Sequence, residues 1–420
     1  MFAWQTPLST AWQDSLICSA RTHAPGVDAL VLTGATGFIG GSVLATLVNA
    51  GLLDRLVCVV RGASVAHALA RLRASAIRSG LPQYRAERLS AANVIVGELG
   101  SEFSRADEAR LAAASHVINC AALASFSTHP RLLESNVRDT LRFASRFAGS
   151  KVLQRFVHVS TAMACGTRCG ALVQETVFGH GDTGDLMPHT RSQRDAERRL
   201  RAELPRLPLV VVRPSAVVGH TVLGTLPSAR IFWVFRVVHA SRRFAARAAN
   251  RIDMVSVDDC ARALTLLTVK PTLAYDTYHV SAGRDSPTLT QILNAMDEAA
   301  DTSGRRYSMC SPRDLRAVAR EALGGDAAGH ARLFERVLGV YAAFAQLDYV
   351  FDNRRLREEI GFDPLPFTDY LNECVRTSGG MGILEQMKRD FARPGTERPW
   401  AERLSKDNVS PGKYIPAHIR

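Results

Sequence analysis

A glycine-rich turn between a short apolar run and a helical segment is the feature that most constrains how this chain folds. The apolar run at 29–33 leads directly into TGATGFIG, which places glycines at positions 34, 37 and 40. Backbone amides at the start of a helix can approach an anion only where no side chain intervenes. A glycine triad after a strand and before a helix therefore predicts a dinucleotide-binding turn, and the alternative is a tight turn without a ligand.

Apolar, β-branched runs alternate with longer segments of helical period from residue 29 onward. Strands that are buried on both faces and separated by helices form a parallel, doubly wound sheet. The predicted fold is therefore α/β, a Rossmann-type doubly wound parallel sheet with a smaller, mainly helical C-terminal substrate-binding cap. The runs predict strands that end near residues 33, 61, 97, 120, 160 and 213 and a further strand at 277–282, and the helical segments lie at 38–50, 64–79, 130–149 and 188–204.

The length and composition of the chain are those of a globular protein, and its charge is unusual. Hydrophobic residues make up 46% and charged residues 22% of its 420 residues, which excludes a small disulfide-stapled module and wholesale disorder. The formal net charge is +12, and lysine supplies only five of the 52 basic residues. The charge is dispersed and no nucleic-acid-binding module is recognisable, so we do not expect a nucleic acid partner.

The cysteines and the first residues of the chain bear on its compartment. Eight cysteines are scattered, several of them inside apolar runs, which favours a reducing compartment. A secretory signal and a run of about 18 apolar residues are both missing from the sequence, so we expect a cytoplasmic protein without a transmembrane segment. Cys165 and Cys169 have no second pair at zinc-site spacing, and no metal site is predicted.

The residue at the end of the second predicted strand indicates which nucleotide the turn binds. This residue is Arg61, about 20 residues past the last glycine, where an NAD site places Asp or Glu on the ribose 2′-hydroxyl. Arginine favours a 2′-phosphate, and Arg71 or Arg73 on the following helix can add a second contact. We therefore expect NADP (NADPH) as the cofactor, and the alternative is that these are surface arginines in an arginine-rich protein.

Composition and period divide the chain into four parts. The first residues form an arm, the last ones are proline-rich and polar, and the cap is made of two separate segments. The division is an N-terminal arm at 1–27, an NADP-binding Rossmann domain at 28–225 to which 252–284 returns, a substrate-binding cap at 226–251 and 285–395, and a C-terminal tail at 396–420.

A series of short motifs resembles the extended short-chain dehydrogenase/reductase superfamily, and within it the thioester reductase and male-sterility-type fatty acyl reductase branch. The motifs follow the order of that family and extend from residue 31 to about 283. They are TGATGFIG, VCVVRG, HALARLR, VGELG, NCAA at 119–122, SNV at 135–137, HVSTA at 158–162, RPSAVVG at 213–219 and VDDCARA at 257–263.

The resemblance implies roles for residues near the predicted strand ends. Glu98 stands near the adenine, where the family has Asp, Ala121 and Ala122 line the ribose side, and Pro214 and Ser215 lie beside the nicotinamide amide. The full predicted cofactor set is Thr33, Gly34, Thr36, Gly37, Phe38, Ile39, Gly40, Arg61, Arg71, Glu98, Leu99, Ala121, Ala122, Gln193, Pro214 and Ser215.

The resemblance also implies catalytic positions. Thr161 takes the position of the catalytic hydroxyl, with Ser160 as its neighbour, and Asn136 matches an asparagine that the family uses near the site. Each of these residues has an alternative interpretation as a cap, a turn or a packing residue.

The chain departs from the family at the Tyr-x-x-x-Lys pair, whose members lie one helical turn apart. His189 and Gln193 occupy these two positions here. A shift of register does not restore the motif, because no tyrosine lies between residues 84 and 275 and no lysine between 151 and 270.

Three consequences of this departure stay open. In the first, the protein is an atypical NADP-dependent oxidoreductase in which His189 handles the proton together with Thr161, Gln193 bonds a ribose hydroxyl, and Arg191 or Arg194 supplies the missing charge. In the second, the protein is a catalytically degenerate nucleotide-binding scaffold or sensor. In the third, His189 serves as the acid or base of a non-redox reaction.

The segment 230–251 bears on the substrate, which the resemblance implies is an acyl thioester or a derived carbonyl. It contains six arginines and no acid, together with Phe232, Trp233 and Phe235. One interpretation is an acyl channel whose arginines face coenzyme A or an acidic carrier protein. The alternatives are a core helix with a solvated basic face and a peripheral contact with anionic lipid. The sequence fixes no oligomeric state.

Overall fold

The computed structural model describes residues 26–122, 134–167, 171–178, 184–228, 231–302, 306–323 and 331–391. The predicted arm and tail lie almost wholly outside these ranges. The strands within them are β1 (Leu30–Thr33), β2 (Leu56–Val60), β3 (Val94–Val96), β4 (His116–Asn119), β5 (Arg155–Val159), β6 (Leu172–Val173), β7 (Leu209–Pro214), β8 (Ala216–Val217), β9 (Arg243–Phe244), β10 (Met254–Val255), β11 (Thr277–Val280), β12 (Ser308–Met309) and β13 (Val350–Phe351).

The α-helices follow most of these strands in the chain. A π-helix, Glu134–Asp139, precedes one of them, and short 3₁₀ turns occupy several of the loops. The α-helices are α1 (Phe38–Asn49), α2 (Val65–Arg78), α3 (Gln83–Ala86), α4 (Arg105–Ala112), α5 (Thr140–Ser145), α6 (Pro188–Glu203), α7 (Phe232–Ser241), α8 (Val257–Val269), α9 (Leu289–Ala299), α10 (Leu315–Leu323), α11 (Ala331–Gln346), α12 (Arg354–Ile360), α13 (Phe367–Ser378) and α14 (Ile383–Phe391).

Seven parallel strands form the central sheet in the order β3–β2–β1–β4–β5–β7–β11. The order reverses between β1 and β4, which is the point where open α/β sheets bind their ligands at the carboxyl ends of the strands. The predicted Rossmann-type fold is confirmed, and each of the seven strands lies within or beside a predicted apolar run.

The strands of this sheet are buried on both faces. Leu30 and Leu32 point into one layer of the core, which α1, α2 and α8 cover. Val31 points into the opposite layer, which is covered by helices that include α5 and α6. Apolar residues therefore occupy consecutive positions in the strands rather than alternate ones, as expected of a parallel sheet covered by helices on both sides.

The cap consists of helices that pack on each other beside the carboxyl edge of the sheet. Phe232 and Phe235 of α7 pack with Ile292 of α9 and Phe367 of α13. Trp233, on the other side of α7, packs with residues of α10, α11 and α14. A mainly helical C-terminal region is thus present, as predicted.

One segment that the sequence division gives to the cap packs on the sheet instead. Leu356 of α12 and Phe362 belong to the same apolar cluster as Leu30 and Leu32. Glu359 accepts a hydrogen bond from the Tyr278 hydroxyl at 2.7 Å and forms an ion pair with Lys270. The division of the chain into domains stays a prediction, with 354–362 attached to the nucleotide-binding side.

No helix in the described ranges is both long enough and apolar enough to cross a lipid bilayer.

Candidate functional site

The glycine-rich turn lies at the carboxyl end of β1, where the strand order reverses. Gly34 has φ +72°, and a Cβ there would stand 2.7 Å from the carbonyl carbon of Cys120. A Cβ on Gly40 would collide with the carbonyl oxygen of Gly34. The Gly37 amide donates to the Gly34 carbonyl at 2.8 Å, and α1 begins at the next residue. These contacts explain glycine at positions 34 and 40 and leave a bare backbone cradle at the start of a helix, which fits a pyrophosphate.

A buried polar network joins the central strands beneath this turn. The Thr33 hydroxyl donates to Asn119 Oδ1 at 2.6 Å and accepts from the Ala121 amide at 3.2 Å. Asn119 Nδ2 lies 3.2 Å from His158 Nδ1, and burial lowers the pKa of His158 to about 4. Thr33 is predicted to bind the cofactor, and that role stays a prediction. It holds Ala121 at the rim of the site.

Arg61 and Arg71 lie together at the end of β2. Arg61 is exposed, and its backbone carbonyl accepts a hydrogen bond from Arg71 Nη1. Burial, followed by the charges of Arg61 and Arg78, lowers the pKa of Arg71. Its Nη2 is buried without a hydrogen-bond partner among the described residues. Arg73, the alternative second contact, donates to the carbonyls of Glu87 and Leu89 instead.

The remaining predicted cofactor residues lie around the carboxyl edge of the sheet. Leu99 is 8% exposed and packs in the hydrophobic core rather than lining the edge. Glu98 is exposed at the end of β3, and its amide donates to Ser101 Oγ at 2.8 Å. Pro214 ends β7, and the amide of the next residue, Ser215, donates to the Val280 carbonyl at 2.9 Å. Half-buried side chains are found at Thr36, Phe38, Ile39 and Ala121, and Ala122 is exposed.

Thr161 and His189 line one cavity of about 330 Å³. Thr161 follows β5 and caps a 3₁₀ turn, where its hydroxyl accepts from the Met163 amide at 3.3 Å. His189 is the second residue of α6, directly after Pro188, a residue that is favoured in the first turn of a helix. The structure thus brings the predicted hydroxyl and imidazole to the same space.

Gln193 lies one turn further along α6 and is 3% exposed. The two arginines considered as substitutes for the missing lysine are bound elsewhere. Arg194 pairs with Asp185 at 2.7 Å and also donates to the Ala164 carbonyl. Arg191 is exposed, and its Nε lies 3.8 Å from the carboxylate of Asp195 on the same helix.

Asn136 and Ser160 are both buried and act on α6. Asn136 Nδ2 donates to Ser192 Oγ at 3.0 Å, and that hydroxyl donates to the His189 carbonyl at 2.8 Å. Ser160 Oγ donates to Glu197, which also forms a buried ion pair with Arg213. Both residues therefore contact the helix that carries His189 and do not line the cavity.

Sequence reasoning did not place Glu197 and Arg213 at the site. Arg213 is 0% exposed, donates to the Thr176 carbonyl at 2.7 Å and lies 3.6 Å from the centre of the Phe178 ring. Two sequence signals could have revealed this ion pair. They are the Ala-Glu dipeptide at 196–197, shortly after Gln193, and the arginine that begins the RPSAVVG motif.

The cavity extends from Thr161 and His189 into the cap, and its walls are mostly apolar. Asp253 is an exception, a buried carboxylate that accepts the amides of Ala282 at 2.9 Å and Phe351 at 3.1 Å. Burial raises its pKa to about 6.

The arginine-rich segment 230–251 is used differently from the prediction. Phe235 lines the cavity, whereas Phe232 and Trp233 are fully buried in the packing of the cap. Arg242 pairs with Asp297 and lies 4.7 Å from the centre of the Tyr307 ring. The other described arginines of this segment are Arg236, which donates to Gln386, Arg243, which lines the cavity, Arg247, which is exposed, and Arg251, which donates to the carbonyls of Arg284 and Ser286.

The strand order and the glycine turn are those of a nicotinamide-nucleotide-binding, reductase-like protein of the extended short-chain dehydrogenase/reductase class. Residues 32–264, more than half of the chain, match the model of the male sterility protein family. The chain belongs to this family, within its thioester reductase-like branch.

The relatives with named activities are large synthetases. The chain is 27% identical over 282 residues to peramine synthetase of Metarhizium rileyi, a match that covers 63% of this chain and 9% of that protein. It is 25% identical over 270 residues to a non-canonical nonribosomal peptide synthetase of a Cladobotryum species, covering 59% of this chain and 25% of that one. The matches thus span a quarter or less of these relatives.

Solved structures of reductase domains share the fold. The terminal R domain from the myxalamid PKS-NRPS biosynthetic pathway superposes with a TM-score of 0.70 at 19% identity, covering 88% of this chain and 99% of that domain. The reductase domain of a nonribosomal peptide synthetase from Mycobacterium tuberculosis superposes with a TM-score of 0.66 at 21% identity, covering 88% and 96%. At these identities the likeness establishes the fold.

Proposed function

We propose that this chain is an NADP(H)-dependent reductase that acts on an acyl thioester or on a carbonyl derived from one. The observation that carries the proposal is the shared cavity of Thr161 and His189, which places a hydroxyl and an imidazole at one end of an apolar space. A carbonyl group at that end would meet both polar groups, while an apolar acyl chain would occupy the rest.

The nucleotide would be held by the bare turn at Gly34–Gly40 and by the two arginines at the end of β2. The buried, unpartnered Nη2 of Arg71 supports a 2′-phosphate there, because it is a donor that still lacks an acceptor. When bound, such a cofactor supplies a hydride to the carbonyl carbon.

The chain's own residues would handle the proton that accompanies the hydride. The Thr161 hydroxyl donates a hydrogen bond to the carbonyl oxygen, and His189 delivers the proton as charge develops on that oxygen. Gln193 hydrogen-bonds a ribose hydroxyl through its side-chain amide, which carries no charge. Asn136 supports this arrangement through Ser192, because it fixes the turn of α6 on which His189 lies.

The form in which the acyl group arrives is also a proposal. The synthetase relatives, and a thiolation-reductase di-domain from an archaeal nonribosomal peptide synthetase that superposes with a TM-score of 0.61, support a carrier-bound thioester. Among the described residues of the segment 230–251, Arg247 is an exposed arginine that is available for an acidic carrier or for coenzyme A.

A nucleotide-binding scaffold without redox activity is the second candidate. The replacement of lysine by Gln193 favours it, because a neutral amide cannot shift the pKa of a proton donor as an ammonium group does. The experiment described next also tests the third possibility, in which His189 acts in a non-redox reaction.

The decisive experiment measures the binding of NADPH and NADH and then the oxidation of NADPH with acyl-coenzyme A, acyl-pantetheine and aldehyde substrates. We compare the native chain with His189→Ala and with the double variant His189→Tyr, Gln193→Lys. Turnover in the native chain that is lost in His189→Ala supports the proposal. Binding without turnover, with turnover gained in the double variant, establishes the scaffold instead. A native chain that binds neither nucleotide contradicts both candidates.

A further inference from the structure

α11 runs along the cavity, so the two ends of the cavity can be told apart by the residues that line them. Tyr349 and Phe351, which follow α11 in the chain, line the cavity and pack with Ala162 and Cys165 of the turn directly after Thr161. The C-terminal end of α11 is therefore the end nearest to the proposed reaction site.

The opposite end of the cavity lies deep in the cap. There Leu338 of α11 meets Leu315 and Val318 of α10, all of them 5% exposed or less. Leu338 and Ala345 are seven residues apart, which is about 10.5 Å along a helix. The cavity thus follows α11 over about two turns, away from Thr161.

One stripe of α11 faces this space. Leu338, Tyr341, Ala342 and Ala345 line the cavity at the i, i+3, i+4 and i+7 spacing of a single helix face, and Phe344 lines it from beside this face. The Tyr341 ring packs edge-on to Trp233 at 6.1 Å between centres, which holds it in the wall. The two alanines are the small side chains of this stripe and lie toward the end nearest to the reaction site.

Hydrogen bonds join the C-terminal half of α11 to the segment 245–250. Asn250 Nδ2 donates to the Ala345 carbonyl at 2.9 Å, and Gln346 Nε2 donates to the Ala245 carbonyl at 2.7 Å. Ala245 also lines the cavity. The backbones at Ala345 and Ala245, which both line the cavity, are thus held by hydrogen bonds, so a larger side chain at Ala345 cannot move aside easily.

We propose that the small side chains of Ala345 and Ala342 on α11 keep the cavity open to an apolar acyl chain as far as Leu338. The substrate class is accordingly an extended acyl chain without charged groups along its length, bound with its carbonyl near Thr161 and its far end near Leu338. This inference rests on the proposed function for the position of the carbonyl, while the length limit itself is a property of the cavity.

Substitutions at the two alanines test the limit on chain length at two positions along the cavity. They are three residues apart, about 4.5 Å along the helix, which corresponds to about three or four methylene groups of an extended chain. Ala345→Leu should exclude all but the shortest chains, and Ala342→Leu should admit chains about three or four methylene groups longer. The control is Ala317→Leu, the same change on the exposed face of α10.

Two measurements separate this inference from the proposed function. The first is the affinity for straight-chain primary alcohols of increasing length, measured by calorimetry without any turnover. The second is NADPH oxidation with acyl-coenzyme A of the same lengths. Chains beyond each limit should bind at least about fivefold more weakly to the variant than to the native chain, because overpacking a fixed wall costs about 1–3 kcal/mol.

The outcomes differ clearly. Two cut-offs in the expected order support the inference, even if NADPH is never oxidised and the proposed function fails. Equal length profiles for the native chain and both leucine variants overturn it, even if turnover is normal. If a leucine variant does not fold, Ala345→Val and Ala342→Val make the same comparison with a smaller intrusion.

Discussion

Arg213 Nη2 and Glu197 Oε2 lie 2.5 Å apart in the interior, with side-chain exposures of 0% and 4%. The pair joins β7 to α6, the helix that carries His189. Glu197 also accepts the Ser160 hydroxyl, and Arg213 holds the Thr176 carbonyl. The residue before Thr161 and the helix with the proposed proton donor are therefore held by one buried pair of charges.

Removing the charge of Glu197 should destabilise the chain strongly. Glu197→Gln leaves the Arg213 guanidinium buried without a counter-charge, and the expected loss in the free energy of unfolding is about 3–5 kcal/mol. Chemical denaturation measures it. Glu203→Gln on the same helix breaks the half-exposed pair with Arg199 and should change the stability by less than about 0.5 kcal/mol. Equal losses in the two variants would contradict the role given to burial.

Two glycines with similar backbone angles should respond differently to alanine. Gly34 has φ +72° and Gly51 has φ +78°, so both substitutions strain the backbone. A Cβ at Gly34 also meets the Cys120 carbonyl, whereas a Cβ at Gly51 meets nothing within 4 Å. Gly34→Ala should abolish measurable NADPH binding, and Gly51→Ala should lower stability by about 1 kcal/mol and leave binding unchanged. Titration with NADPH and thermal unfolding decide between them.

The choice between the two nicotinamide cofactors should depend on Arg61. Arg61→Ser removes a charged donor from the 2′-phosphate and should weaken NADPH binding by about tenfold or more, since such hydrogen bonds contribute about 1.5–3 kcal/mol. The affinity for NADH, which lacks this phosphate, should stay the same. Arg88→Ser, at another exposed arginine, serves as the control. A parallel loss for both nucleotides would place Arg61 outside the phosphate site.

His158 should make stability depend on pH. Its pKa is about 4 in the folded chain, because burial disfavours the charged imidazole, and about 6.5 when unfolded. Between pH 6.5 and 4 the unfolded chain takes up a proton that the folded chain does not. The stability contributed by this group is complete above pH 6.5 and decreases by about 1.4 kcal/mol per pH unit below it.

Replacing His158 by asparagine tests this directly. His158→Asn should lower the slope of unfolding free energy against pH by about 1.4 kcal/mol per unit between pH 4.5 and 6. His67→Asn, at an exposed histidine of α2, should leave the slope as it is in the native chain. An unchanged slope in His158→Asn would mean that the buried imidazole takes up its proton in the folded chain at the same pH as in the unfolded chain.

The sequence predicted the sheet well because its strands are local apolar runs. The apolar run at 56–61 forms β2, and the helical segment predicted at 188–204 forms α6, each with a difference of one residue at its C-terminal end. The same reasoning could not find β6 and β13. Each has two residues, and their pairing joins positions 172–173 to 350–351, so no local pattern reports it.

Individual site residues were harder to predict than elements. Thr161 and His189 share a cavity, Thr33 bridges two strands and Leu99 packs in the core, and the motifs alone do not predict these contacts. Arg194 illustrates the reason, because its partner Asp185 is nine residues away and the bond depends on how the chain folds back. A motif gives the position of a side chain on its element and does not give its partner.

The packing of α12 on the sheet has a consequence for how the chain acquires its structure during synthesis. Leu356 and Phe362 complete a cluster that begins with Leu30 and Leu32, more than 320 residues earlier. A growing chain must therefore emerge beyond residue 362 before its first strand has all of its neighbours. Contacts between such distant parts of a sequence form slowly. We therefore expect the core of the nucleotide-binding domain to stay incomplete while the cap is being synthesised, and the growing chain to need protection from aggregation during that time.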